Sequence, residues 1–175
     1  MKDRTYRIIS IVSLILIIIA FLMIFLFSSE DSSKSSKTSG KITDFVISTF
    51  YKDYDEMTSS EKTALRSKID HRVRKLAHFT EFFILSFLLM VHVFTLLEYK
   101  KKKNYFSFLV VVPIGVIYAI LDECHQLFVG GRGPAINDVL IDSLGVFIGS
   151  IIAYMLLMVI KHSIIKKNRK LEKEE

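Results

Sequence analysis

Four long apolar blocks set the terms for this chain. Residues 8–27 carry no charged side chain, and 76–97, 106–121 and 139–160 are nearly as apolar. A helix needs about 20 residues to cross a hydrocarbon layer of about 30 Å. The third block reaches that length if its helix continues through Asp122 toward Val129, and Pro113 and Gly115 are positioned to bend it. A soluble helix would instead show apolar residues on one stripe only. The expectation is an all-α integral membrane bundle of four transmembrane helices. The first block is longer than the roughly 7–15-residue apolar core of a signal peptide and runs into Phe25-Leu26-Phe27-Ser28-Ser29-Glu30 without a small-residue cleavage pattern. We read it as a retained anchor.

Charge then orients the bundle. The net charge of +6 comes from short basic runs beside the apolar blocks, not from one face of a soluble fold, which argues against a nucleic-acid binder. Lys2, Arg4 and Arg7 precede the first span, Lys100 to Lys103 join the second to the third, and Lys161, Lys166, Lys167, Arg169, Lys170 and Lys173 follow the fourth. Basic residues in short segments favour the cytoplasmic side. Residues 1–7 and 161–175 are thus read as cytoplasmic termini of a multi-pass cell-membrane protein. Residues 28–75 form an extracellular linker, and 76–160 form a three-helix core. The single cysteine, Cys124, excludes an intramolecular disulfide framework and a cysteine-based zinc site.

The outer segment has its own order. Residues 28–40 are rich in serine and read as a flexible linker. Ile42, Phe45, Val46, Thr49 and Phe50 follow at helical spacing. Thr58-Ser59-Ser60-Glu61 has the form of a capping box, with Leu65, Ile69, Val73 and Leu76 after it at helical spacing. Two short amphipathic helices are expected here, the second feeding into the second span.

Ionisable groups within spans cost roughly 2.5–3.5 kcal/mol each on insertion scales, so each calls for a reason. Arg74, His78 and Glu81 fall at i, i+4 and i+7 on one face of the second span, with Lys75 beside them and His92 further in. Tyr118, Asp122 and Gln126 share a face at the end of the third, with Glu123 and His125 adjacent. Asp138, Asp142, Gly145, Gly149 and Ala153 form a stripe on the fourth, whose small residues allow a neighbouring helix to approach closely. The topology brings these three stripes to one membrane depth, beside the loop Gly130-Gly131-Arg132-Gly133-Pro134. Arg132 in such a loop is suited to grip a phosphate or carboxylate. Taken singly, His78 or Glu81 could serve as hydrogen-bonding glue between helices, Asp138 as a helix cap and His92 as a packing residue.

Arg74-Lys75-Leu76-Ala77-His78-Phe79 with Glu81-Phe82 forms one segment of a family likeness. Asp122-Glu123, Gln126-Leu127-Phe128, Arg132, Asp138, Asp142, Gly145 and Gly149 form the other. Together with the run starting Phe27-Ser28-Ser29, the chain resembles the VanZ-like membrane proteins over residues 8–160. It departs from the commonest form at Phe82, where tyrosine is frequent, and at Asp142, where asparagine is frequent. The first removes a hydroxyl and the second adds a charge. The family is named for a protein associated with resistance to the glycopeptide teicoplanin, so the resemblance implies a role in the envelope of a Gram-positive-like bacterium.

The residues themselves leave three functions open. The first is binding of an anionic lipid or a cell-wall precursor at the outer surface. Arg74, Lys75 and Arg132 would hold the anion, and His78, Glu81, Asp122, Glu123, Gln126, Asp138 and Asp142 would complete the site. The second is a membrane hydrolase or phosphoryl or acyl transferase drawing on His78, Glu81, Asp122, Glu123, His125 and Asp138 for acid–base chemistry. The third is a structural or regulatory membrane partner. No cofactor is required by any motif, although the His78-x-x-Glu81 pair has spacing suited to two ligands of a divalent metal. Beyond the bilayer itself, partners and oligomeric state have no signature.

Overall fold

A computed structural model describes residues 2–30, 32–129 and 135–174. It has five α-helices: α1 (Lys2–Ser28), α2 (Ser32–Phe50), α3 (Ser59–Tyr99), α4 (Phe106–Gln126) and α5 (Ile136–Glu174), with a short 3-10 turn at Lys52–Glu56 between α2 and α3. No strand occurs among the described residues. Four of the helices, α1, α3, α4 and α5, are long and apolar enough to cross a membrane. Their outward faces carry half-exposed Ile, Leu, Val and Phe along their length, a surface suited to lipid and not to water.

Length separates the helices into two kinds. At about 1.5 Å per residue, the 21 residues of α4 just cross the hydrocarbon. The 41 residues of α3 extend to about 60 Å, twice its thickness. The part of α3 before Leu76 therefore projects beyond the bilayer at the end where α1 and α4 stop and α5 begins. We call this the site end. The polar tail of α5 projects at the opposite end.

Helix α3 is the hub, packing along α5, α1 and α4 and, through its projecting part, against α2. Its start is fixed by the capping box. Thr58 Oγ1 accepts from Glu61 N at 3.4 Å, and Thr58 N donates to Glu61 Oε2 at 2.9 Å. The core between the spans is built from Phe82, Leu85 and Met90 of α3, Val111 and Ala119 of α4, and Val146 and Ala153 of α5. Ile17 and Ile24 of α1 close it. The small-residue stripe of α5 lies on α3: a Cβ added at Gly145 would stand 2.5 Å from the Phe79 carbonyl oxygen, and one at Gly149 would strike the Phe83 carbonyl and Ser86 Oγ. The two backbones approach so closely because nothing stands between them.

Helix α1 is attached by polar contacts at two depths. Ser13 Oγ lies 2.9 Å from His92 Nδ1, and Tyr118 donates to the Phe21 carbonyl at 2.9 Å. His92 is thus a link between α3 and α1. At the opposite end from the site, Lys161 joins Glu98 at 2.6 Å and Asn104 at 3.0 Å, locking α5 to the α3–α4 turn. Lys101 in that turn takes a positive φ of 52°.

The serine-rich stretch differs from the expected linker, since α2 is helical from Ser32. Asp70 of α3 supplies the reason: its Oδ1 accepts from Ser39 at 2.5 Å and Thr43 at 3.3 Å, and Arg66 pairs with Asp44. The Ser39 hydroxyl, expected to lie in a solvated linker, is instead an interhelical donor. The stripe at Ile42, Phe45 and Phe50 lies on the other side of α2 and is exposed, while Thr43 and Ile47 are buried against α3.

Candidate functional site

The site end gathers side chains from four helices. Each is placed there by its register. His78 and Glu81 sit one turn apart on α3, with Glu81 Oε2 at 3.7 Å from His78 Nδ1. Asp122, Glu123 and Gln126 occupy the last turn of α4 and are all buried. Asp138 and Asp142 are one turn apart at the start of α5, and Asp142 is only 2% exposed. The stripe of small residues below Asp142 draws that end of α5 against α3.

The polar contacts are directional. Ser28, the last residue of α1, donates to Asp122 Oδ2 at 2.8 Å. Gln126 Nε2 donates to the same oxygen at 2.9 Å. Glu123 Oε1 accepts from the backbone N–H of Ala135 at 2.5 Å and so ties α4 to the entry of α5. Lys75 Nζ reaches Asp138 at 2.7 Å, bridging α3 and α5. Asp122, Asp138, Glu81 and Glu123 all lie close enough to repel a charge on Asp142.

One group stands out within this cluster. A ligand atom from each of His78, Asp122 and Asp142 lies within 4.8 Å of the other two. Among the described residues, Asp142 Oδ1 is buried and has no hydrogen-bond partner.

The remaining candidates fall outside this centre. Arg74 is one turn above His78 and pairs with Asp70 of the same helix at 3.5 Å. His125 packs its ring on Phe25 at 4.8 Å and meets Ser29 Oγ at 3.1 Å, on the α1 side of α4. Arg132 lies outside the described residues. Cys124 is exposed. Sequence reasoning missed Ser28, whose hydroxyl is fully buried. Its only signal was the family-like Phe27-Ser28-Ser29 run.

The family model described as VanZ/LLP1 matches residues 13–159. The chain belongs to the VanZ/LLP1 family. The match takes in α1 from residue 13 on, α2 to α4 and the membrane part of α5, and so contains every residue described for the VanZ/LLP1 polar centre above. No curated protein and no solved structure matches the chain.

The balance of charge in this VanZ/LLP1 site narrows its chemistry. Five carboxylates, from Glu81, Asp122, Glu123, Asp138 and Asp142, face Lys75 and His78 as the described cationic or basic groups. Like charges in a medium of low polarity raise each other's energy steeply. An anion therefore approaches this centre only through a cation.

Proposed function

We propose that this VanZ/LLP1 membrane protein binds the anionic head group of a lipid or lipid-linked cell-wall precursor at the outer face of the membrane. The observation that carries the reading is the position of the polar centre. It lies where α4 ends, α5 begins and the projecting part of α3 enters its apolar stretch, between faces of half-exposed apolar side chains, a position that supports head-group depth. Head groups and their acyl or prenyl chains meet at that depth, so a lipid could present its polar end to the site without leaving the bilayer. The outward orientation follows from the basic residues at the opposite end. The envelope role implied by the VanZ likeness accords with this placement, and tolerance of glycopeptides such as teicoplanin is its cellular correlate.

The test uses the full chain in detergent and compares phosphatidylglycerol and a polyprenyl phosphate with phosphatidylcholine. The anionic lipids bind at least about tenfold more tightly, which corresponds to about 1.4 kcal/mol. Lys75→Gln and Arg132→Ala each weaken that preference. Equal affinity for the zwitterionic lipid, or full binding by Arg132→Ala, would overturn the reading.

A second reading, a membrane hydrolase or phosphoryl or acyl transferase, is favoured by one observation: an imidazole and two carboxylates converge within 4.8 Å. Turnover of the same lipids by the parent, lost in His78→Ala and Asp122→Asn, would establish it. Unchanged turnover in both variants would remove these residues from catalysis.

A further inference from the structure

We infer that His78, Asp122 and Asp142 form a site for one divalent transition-metal ion, zinc or manganese. The three ligand atoms come from three different helices, α3, α4 and α5, and lie within 4.8 Å of one another. Ligands around a common zinc or manganese ion sit at about 2.0–2.2 Å from it, so binding draws the three inward.

Asp142 carries the argument beyond mere proximity. Its side chain is 2% exposed, and Oδ1 has no hydrogen-bond partner among the described residues. A buried carboxylate oxygen without a donor is unfavourable in an apolar setting. This one lies beside a second buried carboxylate, Asp122, which is 4% exposed. A dication removes both problems at once. It supplies the missing partner and, with a neutral imidazole, makes the trio electrically neutral within the membrane.

The surroundings have the form of a prepared ligand set. Ser28 and Gln126 both donate to Oδ2 of Asp122, which fixes the plane of that carboxylate. Glu81 Oε2 stands beside the ring of His78, 3.7 Å from Nδ1. Partners of this kind, holding a ligand from behind, are usual in metal centres. The described cations nearby have other counterparts: Lys75 with Asp138 and Arg74 with Asp70.

The choice of ion follows from the ligands. One nitrogen and two oxygens suit zinc or manganese, whereas calcium and magnesium favour oxygen throughout. Three protein ligands leave at least one coordination position open. Under the lipid reading above, on which this last step alone rests, a phosphate oxygen of the head group completes the shell.

The test begins with the full chain, carrying no polyhistidine tag, purified in detergent and equilibrated with zinc or manganese. Elemental analysis after removal of free metal should give about one equivalent per chain, and the metal should raise the unfolding temperature. Asp142→Asn, which keeps the shape, and His78→Ala should each weaken metal binding at least about tenfold and abolish the thermal shift. Asp70→Asn, remote from the trio, should retain both. A parent chain with neither bound metal nor thermal shift overturns the inference. So does a chain whose metal content is unchanged in Asp142→Asn and His78→Ala. Metal binding without lipid preference would sink the lipid reading alone, and lipid preference without metal would sink the metal site alone.

Discussion

The hydroxyl of Ser28 donates to Oδ2 of Asp122 at 2.8 Å, joining the last residue of the first span to the last turn of the third across 94 positions of sequence. Both groups are buried. Ser28→Ala should lower stability by about 0.6–1.7 kcal/mol, the range for such bonds within membranes. Ser29→Ala, whose hydroxyl is exposed and bonds to the Phe25 carbonyl, should change it by less than about 0.5 kcal/mol. Unfolding titrations of the two variants in mixed micelles measure the difference.

Gly145→Ala should be more damaging than any substitution on the lipid face. The added carbon would stand 2.5 Å from a backbone oxygen of Phe79, which has no side chain rotation with which to yield. Helix α5 must then move off α3, at a cost of about 1–3 kcal/mol. Leu144→Ala, on the exposed side of the same turn, is the comparison. Thermal unfolding and folded yield in detergent check the order.

Asp70 holds α2 in place through Ser39 and Thr43, and it also pairs with Arg74. Asp70→Ala should release α2 without unfolding the spans. Hydrogen exchange over residues 37–50 should quicken by at least about tenfold, the equivalent of about 1.4 kcal/mol of local stability. Exchange in α4 should be unchanged.

Orientation can be read with a single thiol. In a Cys124→Ser background, Ser60→Cys places a sulfur on the projecting part of α3, where the residue is exposed. A membrane-impermeant maleimide should label it in intact cells. Asn168→Cys, on the opposite projection, should be labelled only after the membrane is opened. The reverse pattern would invert the topology drawn from Lys100 to Lys103 and the basic tail.

The spans were legible because length and the lack of charge act over some twenty residues at once. The polar centre was legible for a related reason. Helical spacing placed His78 with Glu81, and Asp138 with Asp142, on single faces, and the glycines told which face of α5 meets a neighbour. What escaped was set by pairing between distant segments. Serines 28 and 39 look alike in a serine-rich run, yet one meets Asp122 and the other Asp70. Arg74 shares a helical face with His78, yet it also stands one turn from Asp70 of its own helix, a pairing that spacing alone allowed. No local pattern told Ser28 and Ser39 which of those partners each would meet.

Helix α3 runs unbroken from Ser59 to Tyr99. Its first third bears α2, its middle bears His78 and Glu81, and its last turns bear Glu98 with Lys161. A continuous helix tilts as a stiff shaft, because bending it breaks backbone hydrogen bonds. A load on the projecting part of α3 is therefore carried along one helix to His78 and Glu81 and on to the contact of Glu98 with Lys161. The α2-bearing projection and the polar centre thus share one continuous backbone, with no joint between them.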